Sequence, residues 1–547
     1  MKKPVLIFTV CLLFCIGLVS VSAAGTSIGT ADELVALMQD TTKWGDDCKL
    51  TADINLSGKA QTPIGSYAIP FTGTFDGGNH TISGISISTE PVAGLFGVIE
   101  NATVKDLSVK GNVTNLFAAE NAETKVEEKY PATGGLVAVV LSGSRIENCT
   151  SDMRVNATAS GNCGGMIGIV YNFGASGVQI ANCKTYGNAS GALGNAGAMI
   201  SRIYIKTSAK DGCIVSGCTN YADIDLRSED RCRVGGVVGY VRTEMGKIRI
   251  EKCQNEGKIS GSNSFETGSN ITYAGGIAGR CEVTSDWTAC LEIVDCVNNG
   301  VIQSGSIGGG ITAYISRGDA CGQDVTIVKD CKNNAKVTGP YFAGGIVAYS
   351  ASKAMLIEAS RIENCTNSGA IDGESCAGGL FGQQDGFSIL GSTNTAKVSG
   401  SGKIGAVSGK VGGSVPISVK DTTYAPDAAE NAFGEVGDIA DVSGAVAIGA
   451  APVVVTEAAP ETTAAETEAE TTAAEESAAE TETAEVTETE VVPESAEETA
   501  AESETSPDGA PAEAKGNSAP VGLILGIAAA VIVIAAVVVL LLKKKQK

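Results

Sequence analysis

Hydrophobic and polar positions along the 547 residues of this chain follow a repeat of about 34 residues. In most copies an aliphatic run follows a Gly-Gly pair, a second aliphatic segment leads to a cysteine, and a third aliphatic pair lies between glycines. The cysteines that mark the copies are Cys149, Cys183, Cys218, Cys253, Cys296, Cys331 and Cys365. Self-similarity at such a period predicts a repeat architecture.

The three aliphatic segments of each copy predict β-strands, because glycine is too frequent for a helix to run through them. The aliphatic residue three positions before each cysteine cannot share one face of a flat strand with that cysteine, since side chains alternate with period two. A corner is therefore predicted between the two. The residue before the cysteine is Asn, Asp or Gly in six copies and Lys252 in the seventh. The first three types tolerate the left-handed backbone that a corner needs.

These features predict an all-β fold, a right-handed parallel β-helix (β-solenoid) with three strands in each coil of about 34 residues. Nine or ten such coils are expected. An asparagine recurs two residues after the cysteine, and stacked coils would align these asparagines so that each amide bonds to its neighbours. The predicted ladder consists of Asn220, Asn255, Asn298, Asn333 and Asn367.

The solenoid is expected to have a cap at each end. Residues 25–112 are predicted to hold the N-terminal cap and the first coils, with Thr30 and Glu33 as the capping box of a short helix through Met38. Residues 113–412 are assigned to the β-helix repeats, and residues 413–450 to a C-terminal cap, because the cysteine pattern is lost there. Caps protect the open edges of the terminal coils.

The two ends of the chain predict export and membrane anchoring. Residues 1–24 have the lysines, apolar stretch and small-residue exit of a signal peptide. Residues 451–519, rich in Ala, Thr and Glu, predict a disordered stalk. Residues 520–542 are long and apolar enough for one transmembrane helix, and the lysines of 543–547 would hold that end in the cytoplasm. The bulk of the chain is thus expected at the cell surface, outside the cytoplasmic membrane.

The periodic cysteines are interpreted as small inward-facing residues that fill a narrow core. Stacked residues have parallel Cβ vectors, which disfavour disulfides between coils. Cys281 and Cys290 bracket an inserted loop and are better disulfide candidates. A metal-binding ladder of thiolates is a further alternative, although no histidine accompanies it and the spacing is not that of a zinc site.

Catalytic chemistry has little support in the sequence. The single histidine, His80, lies in the turn of FDGGNHTI, which excludes HExxH metalloprotease chemistry and argues against a Ser-His-Asp triad. Paired carboxylates could still hydrolyse glycosides. The candidates fall in the N-terminal cap region or on outward strand positions: Asp46, Asp47, Asp76, Glu147, Glu251 and Glu363. No catalytic residue, cofactor or metal ligand is predicted, and a net charge of −23 excludes nucleic acid as a partner.

Two features suggest a binding partner. Arg317, Gly318 and Asp319 form an Arg-Gly-Asp tripeptide in an expected exposed turn, which would be a partner-binding loop of the kind that integrins recognise. Aromatic residues near the Gly-Gly strands could stack on sugars along one flank, or could fill partly buried ends of coils. They are Tyr171, Phe173, Tyr240, Tyr273, Trp287, Tyr314 and Tyr341.

A family resemblance is carried by residues 30–111, which contain ADELVALMQD, CKLTADINLSG, FTGTFDGGNHTISGISI and AGLFG in that order. This stretch resembles the opening of bacterial cell-surface proteins with GLUG-type repeats, whose repeats are similar to those beside the protease domain of immunoglobulin A proteases. The resemblance extends over about residues 30–412 and implies a β-helical, adhesin-like exoprotein.

Three functions remain open at this point. The first is a non-enzymatic, membrane-anchored surface protein that binds a glycan, a host protein or a neighbouring cell through side loops. The second is a polysaccharide-degrading β-helix enzyme, which would need acidic residues of successive coils to converge in a groove. The third is a structural spacer of the cell envelope.

Overall fold

The computed structural model describes residues 25–117, 131–157, 161–191, 194–209, 211–227, 232–262, 271–284, 288–318, 326–352, 360–413, 416–437 and 440–448. The chain divides into two compact units, Met1–Val455 and Thr456–Lys547, and all described residues belong to the first. The predicted signal peptide, stalk, transmembrane helix and basic tail lie outside the described residues. Among the described residues, no helix has the length and hydrophobicity needed to cross a membrane.

The first unit is a parallel β-solenoid in which strands of successive coils stack into five sheets. We number the sheets 1 to 5 in chain order within one coil. A strand of sheet 1 ends at the Gly-Gly pair, and the strand of sheet 2 follows that pair. Sheet 1 contains Val92–Ala93, Ala132–Gly134, Asn162–Gly164, Asn195–Gly197, Cys232–Gly235, Thr272–Gly275, Ile307–Gly309, Phe342–Gly344, Cys376–Gly378 and Lys403–Gly405. Sheet 2 contains Phe96–Ile99, Val137–Val140, Ile167–Asn172, Ile200–Lys206, Val238–Met245, Ala278–Val283, Thr312–Arg317, Val347–Ser352, Phe381–Asp385, Ser408–Gly412 and Phe433–Val436.

The other three sheets close each coil. Sheet 3 contains Thr26–Ile28, Cys48–Leu50, Thr74–Asp76, Thr103–Lys105, Arg145–Glu147, Val178–Ala181, Cys213–Ser216, Lys247–Glu251, Cys290–Val294, Thr326–Lys329, Ser360–Glu363, Ser388–Leu390, Ile417–Lys420 and Ala440–Asp441. Sheet 4 contains Ile54–Asn55, Thr81–Thr89, Ser108–Asn115, Thr150–Ala157, Lys184–Thr185, Ala189–Gly191, Thr219–Asn220, Gln254–Asn255, Val297–Asn298, Lys332–Asn333, Thr366–Asn367, Thr393–Asn394, Thr422–Tyr424 and Ala445–Ala447. Sheet 5 contains Ile224–Arg227, Ile259–Ser262, Ile302–Ser304, Val337–Thr338, Ile371–Asp372 and Val398–Ser399.

The predicted number of three strands per coil is therefore wrong for the central coils, which contribute to five sheets. The predicted strand after each Gly-Gly pair lies in sheet 2, and the strand of sheet 1, which ends at the first glycine, was not predicted. The second glycine is required because stacked coils approach closely there: a Cβ on Gly276 would collide with the Gly310 carbonyl oxygen and the Asn298 side chain. The left-handed corner separates sheets 3 and 4, and the following glycine region separates sheets 4 and 5.

The solenoid also has more coils than the nine or ten predicted, since sheet 3 contains 14 stacked strands. The prediction counted coils by their marker cysteine and therefore missed coils that lack it. Ser392 and Thr422 take the cysteine position there and keep its hydrogen bond to the carbonyl two residues earlier, at 3.0 and 2.9 Å. Residues 413–450, predicted as a cap, continue the coil in their described part, with strands in sheets 2, 3 and 4.

The N-terminal cap region contains the predicted helix α1, Ala31–Gln39, followed by a 3₁₀ turn at Thr41–Lys43. The capping box of Thr30 and Glu33 is present in both directions, which confirms that prediction. Leu34, Leu37 and Met38 of α1 are buried and belong to the main hydrophobic core.

The left-handed corners are confirmed in every marked copy. The residues before the seven cysteines have φ between 53° and 63°, including Lys252 at 54°: they are Asn148, Asn182, Gly217, Lys252, Asp295, Asp330 and Asn364. The corner turns each cysteine into the core, where all seven are buried free thiols. Cys281 is a free thiol in sheet 2 and Cys290 lies in sheet 3, so the predicted disulfide between them is absent.

The asparagine ladder is confirmed and extends one coil beyond the prediction. The side-chain amide of Asn220 donates to Asn255 at 2.8 Å, and the same bond of 2.8 Å links each later neighbour. The members are Asn220, Asn255, Asn298, Asn333, Asn367 and Asn394. This buried column pins the register of successive coils.

Candidate binding surfaces of the solenoid

Arg317 of the Arg-Gly-Asp tripeptide is not in the exposed turn that the sequence suggested. Arg317 is the last residue of strand Thr312–Arg317 in sheet 2, and only 2% of it is exposed. Strand alternation places it on the same side as buried Ile315. Gly318 donates its N–H to the Val283 carbonyl at 2.9 Å, and Asp319 lies outside the described residues. A recognition loop needs an accessible guanidinium, so the tripeptide has no part in the function proposed below.

His80 and the outward glutamates have structural roles. The backbone N–H of His80 closes a turn to Gly77 at 2.8 Å, and its Nδ1 lies 3.2 Å from Oδ1 of Asp53. On sheet 3, Glu147 pairs with Arg145 at 3.4 Å and Glu251 with Arg249 at 2.6 Å. Glu147 and Glu251 therefore belong to ion pairs on the outer face of sheet 3.

Sheets 1 and 2 create a different surface, because the Gly-Gly bend brings their outward side chains into contact. We call this strip of outward side chains the seam. Its side chains form two hydrophobic clusters separate from the main core, one around Val98 and Ile169 and one around Tyr273 and Ile307. Between these clusters the lining changes to tyrosine and arginine.

The register of the two sheets gives the order of the seam. In sheet 2 the stacked outward residues are Arg202, Tyr240, Arg280, Tyr314 and Tyr349. In sheet 1 they are Asn195, Arg233, Tyr273, Ile307 and Phe342. The seam is thus a strip of five coils, about 20 Å long at the usual strand spacing.

Rings and guanidinium groups alternate along this strip. The Arg202 guanidinium carbon lies 5.1 Å from the ring centres of both Tyr204 and Tyr240, and that of Arg233 lies 4.5 Å from Tyr240. Arg280 lies 5.1 and 5.0 Å from Tyr273 and Tyr314. Such cation–π contacts favour an ordered arrangement of both partners.

Two glutamates fix the same network. Glu244 accepts a hydrogen bond from the Tyr204 hydroxyl at 2.6 Å and pairs with Arg242 at 2.8 Å. Glu282 accepts from the Tyr240 hydroxyl and pairs with Arg280 at 2.5 Å. Burial alone would raise the pKa of Glu282, but the Arg280 charge and the Tyr240 hydrogen bond hold it below its usual value. The seam is therefore a rigid network of aromatic and ionised groups, of which Arg202, Tyr240 and Arg280 are at most 9% exposed.

Beyond the C-terminal end of the seam, sheet 2 contains two carboxyl groups in contrasting environments. Burial raises the pKa of Asp385 to about 6, against the opposing effect of Lys410. A hydrogen bond from Lys403, at 2.8 Å, lowers the pKa of Glu435 despite burial, and Lys410 lies 3.4 Å away on its other side. The two carboxyl groups lie two coils apart in sheet 2, because Lys410 stacks between Gln383 and Glu435.

Sequence reasoning found part of the seam. The structure brings the predicted aromatics Tyr171, Phe173, Tyr240, Tyr273 and Tyr314 to one surface, whereas Trp287 lies outside the described residues. The arginines and glutamates of the seam were missed. An alignment of the strands after each Gly-Gly pair would have shown them, because they occupy the same outward positions as the aromatics.

Comparisons with known proteins give little beyond this. No family model and no curated protein matches the chain. A crystal structure from Bacteroides ovatus, provisionally named an immunoglobulin A1 protease, is similar at 15% identity, over 72% of this chain and 84% of that chain, with a TM-score of 0.31. A likeness this weak carries no argument about fold or function, and the GLUG-type resemblance remains a prediction.

Proposed function

We propose that the chain is a membrane-anchored extracellular β-solenoid that binds a surface ligand, in the manner of an adhesin. The ligand would be a glycan, a host protein or a neighbouring cell. The observation that carries the proposal is the seam, where outward positions change from aliphatic residues to an ordered strip of tyrosine and arginine.

Two properties of the seam support a binding role. Aromatic and arginine side chains supply large contact area and are enriched in recognition surfaces. Their mutual contacts fix the geometry in advance, which reduces the entropy cost of binding. Phe173 is 39% exposed at one end of the strip, beside Tyr171 and Tyr204, so part of the surface is accessible.

The cellular placement is part of the proposal and is supported by sequence. Residues 1–24 would direct export, 451–519 would form the stalk, and 520–542 would anchor the chain with 543–547 in the cytoplasm. We also propose that the coils are right-handed, following the rule for parallel crossovers, and that the repeats belong with the GLUG-type surface proteins.

The test uses cells that display the full chain, probed with arrays of glycans and matrix proteins. Phe173→Ala and Tyr349→Ala should each reduce binding at least 10-fold, because each removes a ring from the seam. Tyr67→Ala is the matched control, since Tyr67 is 41% exposed in the N-terminal region. Binding that survives both seam variants, or no binding by the unmodified chain, would reject the proposal and favour the structural spacer.

A second candidate function rests on Asp385 and Glu435. Lys410 pairs with Glu435 and opposes the rise in the pKa of Asp385, so both carboxyl groups interact with one lysine of sheet 2. A protonated Asp385 and an ionised Glu435 would suit glycoside hydrolysis. New reducing ends on incubation with polysaccharides, abolished by Asp385→Asn and by Glu435→Gln but not by Glu147→Gln, would support this enzyme. Unchanged polysaccharide would eliminate it.

A further inference from the structure

The turn between sheets 4 and 5 presents an exposed pair of tyrosines. Tyr186 and Tyr221 occupy equivalent positions in successive coils, with ring centres 4.8 Å apart and planes within 6° of parallel. They are 49% and 44% exposed. Stacking between coils explains why the rings are parallel, but it does not explain why apolar rings remain in water at this place.

A polar cavity of about 480 Å³ lies on the same flank. Its lining consists of residues that follow Tyr221 in the same coil and of the equivalent residues in the next two coils. Three successive coils line it, with Asp223 and Asp225 from the first, Lys258 and Ser260 from the second, and Gln303 from the third. The register Asp225–Ser260–Gln303 aligns three of these side chains across sheet 5. The flank therefore combines a cavity with aligned polar groups.

Strand alternation connects the tyrosine to the cavity. Tyr221, Asp223 and Asp225 are exposed, while the intervening Ala222 and Ile224 are buried, so the three exposed residues project from one side of the same coil. Val301, two residues before Gln303, is also 42% exposed. Exposed apolar groups beside a polar cavity are characteristic of ligand sites and unusual for a plain surface.

We propose that this flank, centred on Tyr221, Asp223, Asp225, Lys258 and Gln303, binds a polysaccharide without acidic groups. Carboxylate, amide and hydroxyl groups in the cavity can exchange hydrogen bonds with sugar hydroxyls, and tyrosine rings offer apolar surface to sugar C–H groups. Asp223 is held in place because it accepts the Lys258 backbone N–H at 2.7 Å.

The charge of the cavity decides between classes of polysaccharide. Asp223 and Asp225 place two carboxylates in the lining of the cavity. A uronate or a sulfated sugar bound beside them would meet like charges, whereas neutral or amine-bearing sugars meet no such penalty. The site lies on sheets 4 and 5 and is separate from the seam of sheets 1 and 2.

The test measures binding of the detergent-solubilised full chain to three oligosaccharides: a neutral glucan, a glucosamine oligomer and a galacturonate oligomer. We expect the glucan, the glucosamine oligomer or both to bind at least 10-fold more tightly than the galacturonate. The double variant Tyr221→Ala/Gln303→Ala should weaken that binding at least 10-fold. Tyr67→Ala and the seam variant Phe173→Ala should leave it unchanged.

Circular dichroism and the thermal unfolding midpoint verify that each variant is folded. If the double variant does not fold, the single variant Gln303→Ala replaces it in the binding measurement. Preference for galacturonate, equal binding by the variant, or no binding to any of the three would overturn the proposal. Loss of array binding in Phe173→Ala with this binding intact would separate the flank from the function proposed for the seam.

Discussion

The inward columns of the solenoid and the outward seam obey different rules, although the same strands supply both. Inside, a buried asparagine or cysteine stacks on an identical residue of the next coil, and each asparagine amide bonds to its copy at 2.8 Å. Outside, the stacked residues of sheet 2 change from Arg202 to Tyr240 and then Arg280. Repetition is therefore a property of the core, while chemical variety is confined to the outer surface.

The physical reason is the cost of unpaired polar groups. A buried amide finds both its donor and its acceptor partner only if the coils above and below carry an amide at the same position. An outward position of the seam need not match the coils above and below, because unlike neighbours such as Arg202 and Tyr240 stabilise each other through a cation–π contact although both are buried. Function is therefore expected at the outward positions that do not repeat.

The largest expected effect is on the inward column. Asn298→Leu removes the bond to Asn333, takes from the Asn255 amide one of its two acceptors, and should lower the free energy of unfolding by about 3 kcal/mol. Chemical denaturation measures this loss. The neighbouring Asn299→Ala, at an exposed position, should change the same quantity by less than about 0.5 kcal/mol. Equal losses would contradict the distinction between inward and outward columns.

A gain in stability is expected at Asp385, beyond the C-terminal end of the seam. Since burial raises the pKa of Asp385 to about 6 in the fold, above its usual value of 3.8, its ionisation favours the unfolded chain as the pH rises between these values. Asp385→Asn should be about 1–2 kcal/mol more stable than the unmodified chain at pH 7.5, after allowance for partial exposure. The gain should vanish at pH 3, where Asp385 is protonated in both states. Unfolding midpoints at the two pH values provide the measurement, and a gain at both would contradict it.

The cysteine column should tolerate a hydroxyl. Cys296 donates from Sγ to the Val294 carbonyl at 3.4 Å, the same bond that Ser392 and Thr422 form in the unmarked coils. Cys296→Ser should therefore cost only about 1 kcal/mol, whereas Cys296→Leu should cost about 2–3 kcal/mol through overpacking. Thermal unfolding of the two variants side by side decides this. A serine as damaging as leucine would indicate that the thiol itself is needed.

The smallest effect is a gain at one corner. Lys252 has φ of 54°, a left-handed conformation that costs a lysine more than an asparagine. Lys252→Asn should raise the free energy of unfolding by about 0.5 kcal/mol. The matched Asn148→Lys, at a corner with the same φ of 54°, should lower it by a similar amount. Shifts of the same sign in the two variants would argue against a backbone origin.

Local rules made much of the fold predictable. The corners at Asn148 and Asn182, the asparagine ladder and the capping box of Thr30 each follow from the preference of one residue type, repeated or placed at a helix start. The division into five sheets was not predictable in this way, because it depends on how closely stacked glycines approach. The coils marked by Ser392 and Thr422 were missed since a hydroxyl replaces the thiol.

The candidate surfaces were less predictable than the fold. Arg317 was expected in an exposed turn, but strand alternation buries it beside Ile315. The contact of Arg280 with Tyr273 and Tyr314 joins residues of different coils and sheets, and only the stacking register brings them together. The tyrosine pair of the flank likewise depends on two copies lying in register.

The asparagine ladder has an evolutionary consequence. Each member presents the same donor and acceptor to its neighbours, so any one of the middle coils could be lost or duplicated and the ends of the break would still match. Recombination between copies in the gene would then shorten or lengthen the protein by whole coils without damage to its core. Lineages could thereby adjust how far the binding surfaces reach, and could exchange individual coils to acquire new specificities.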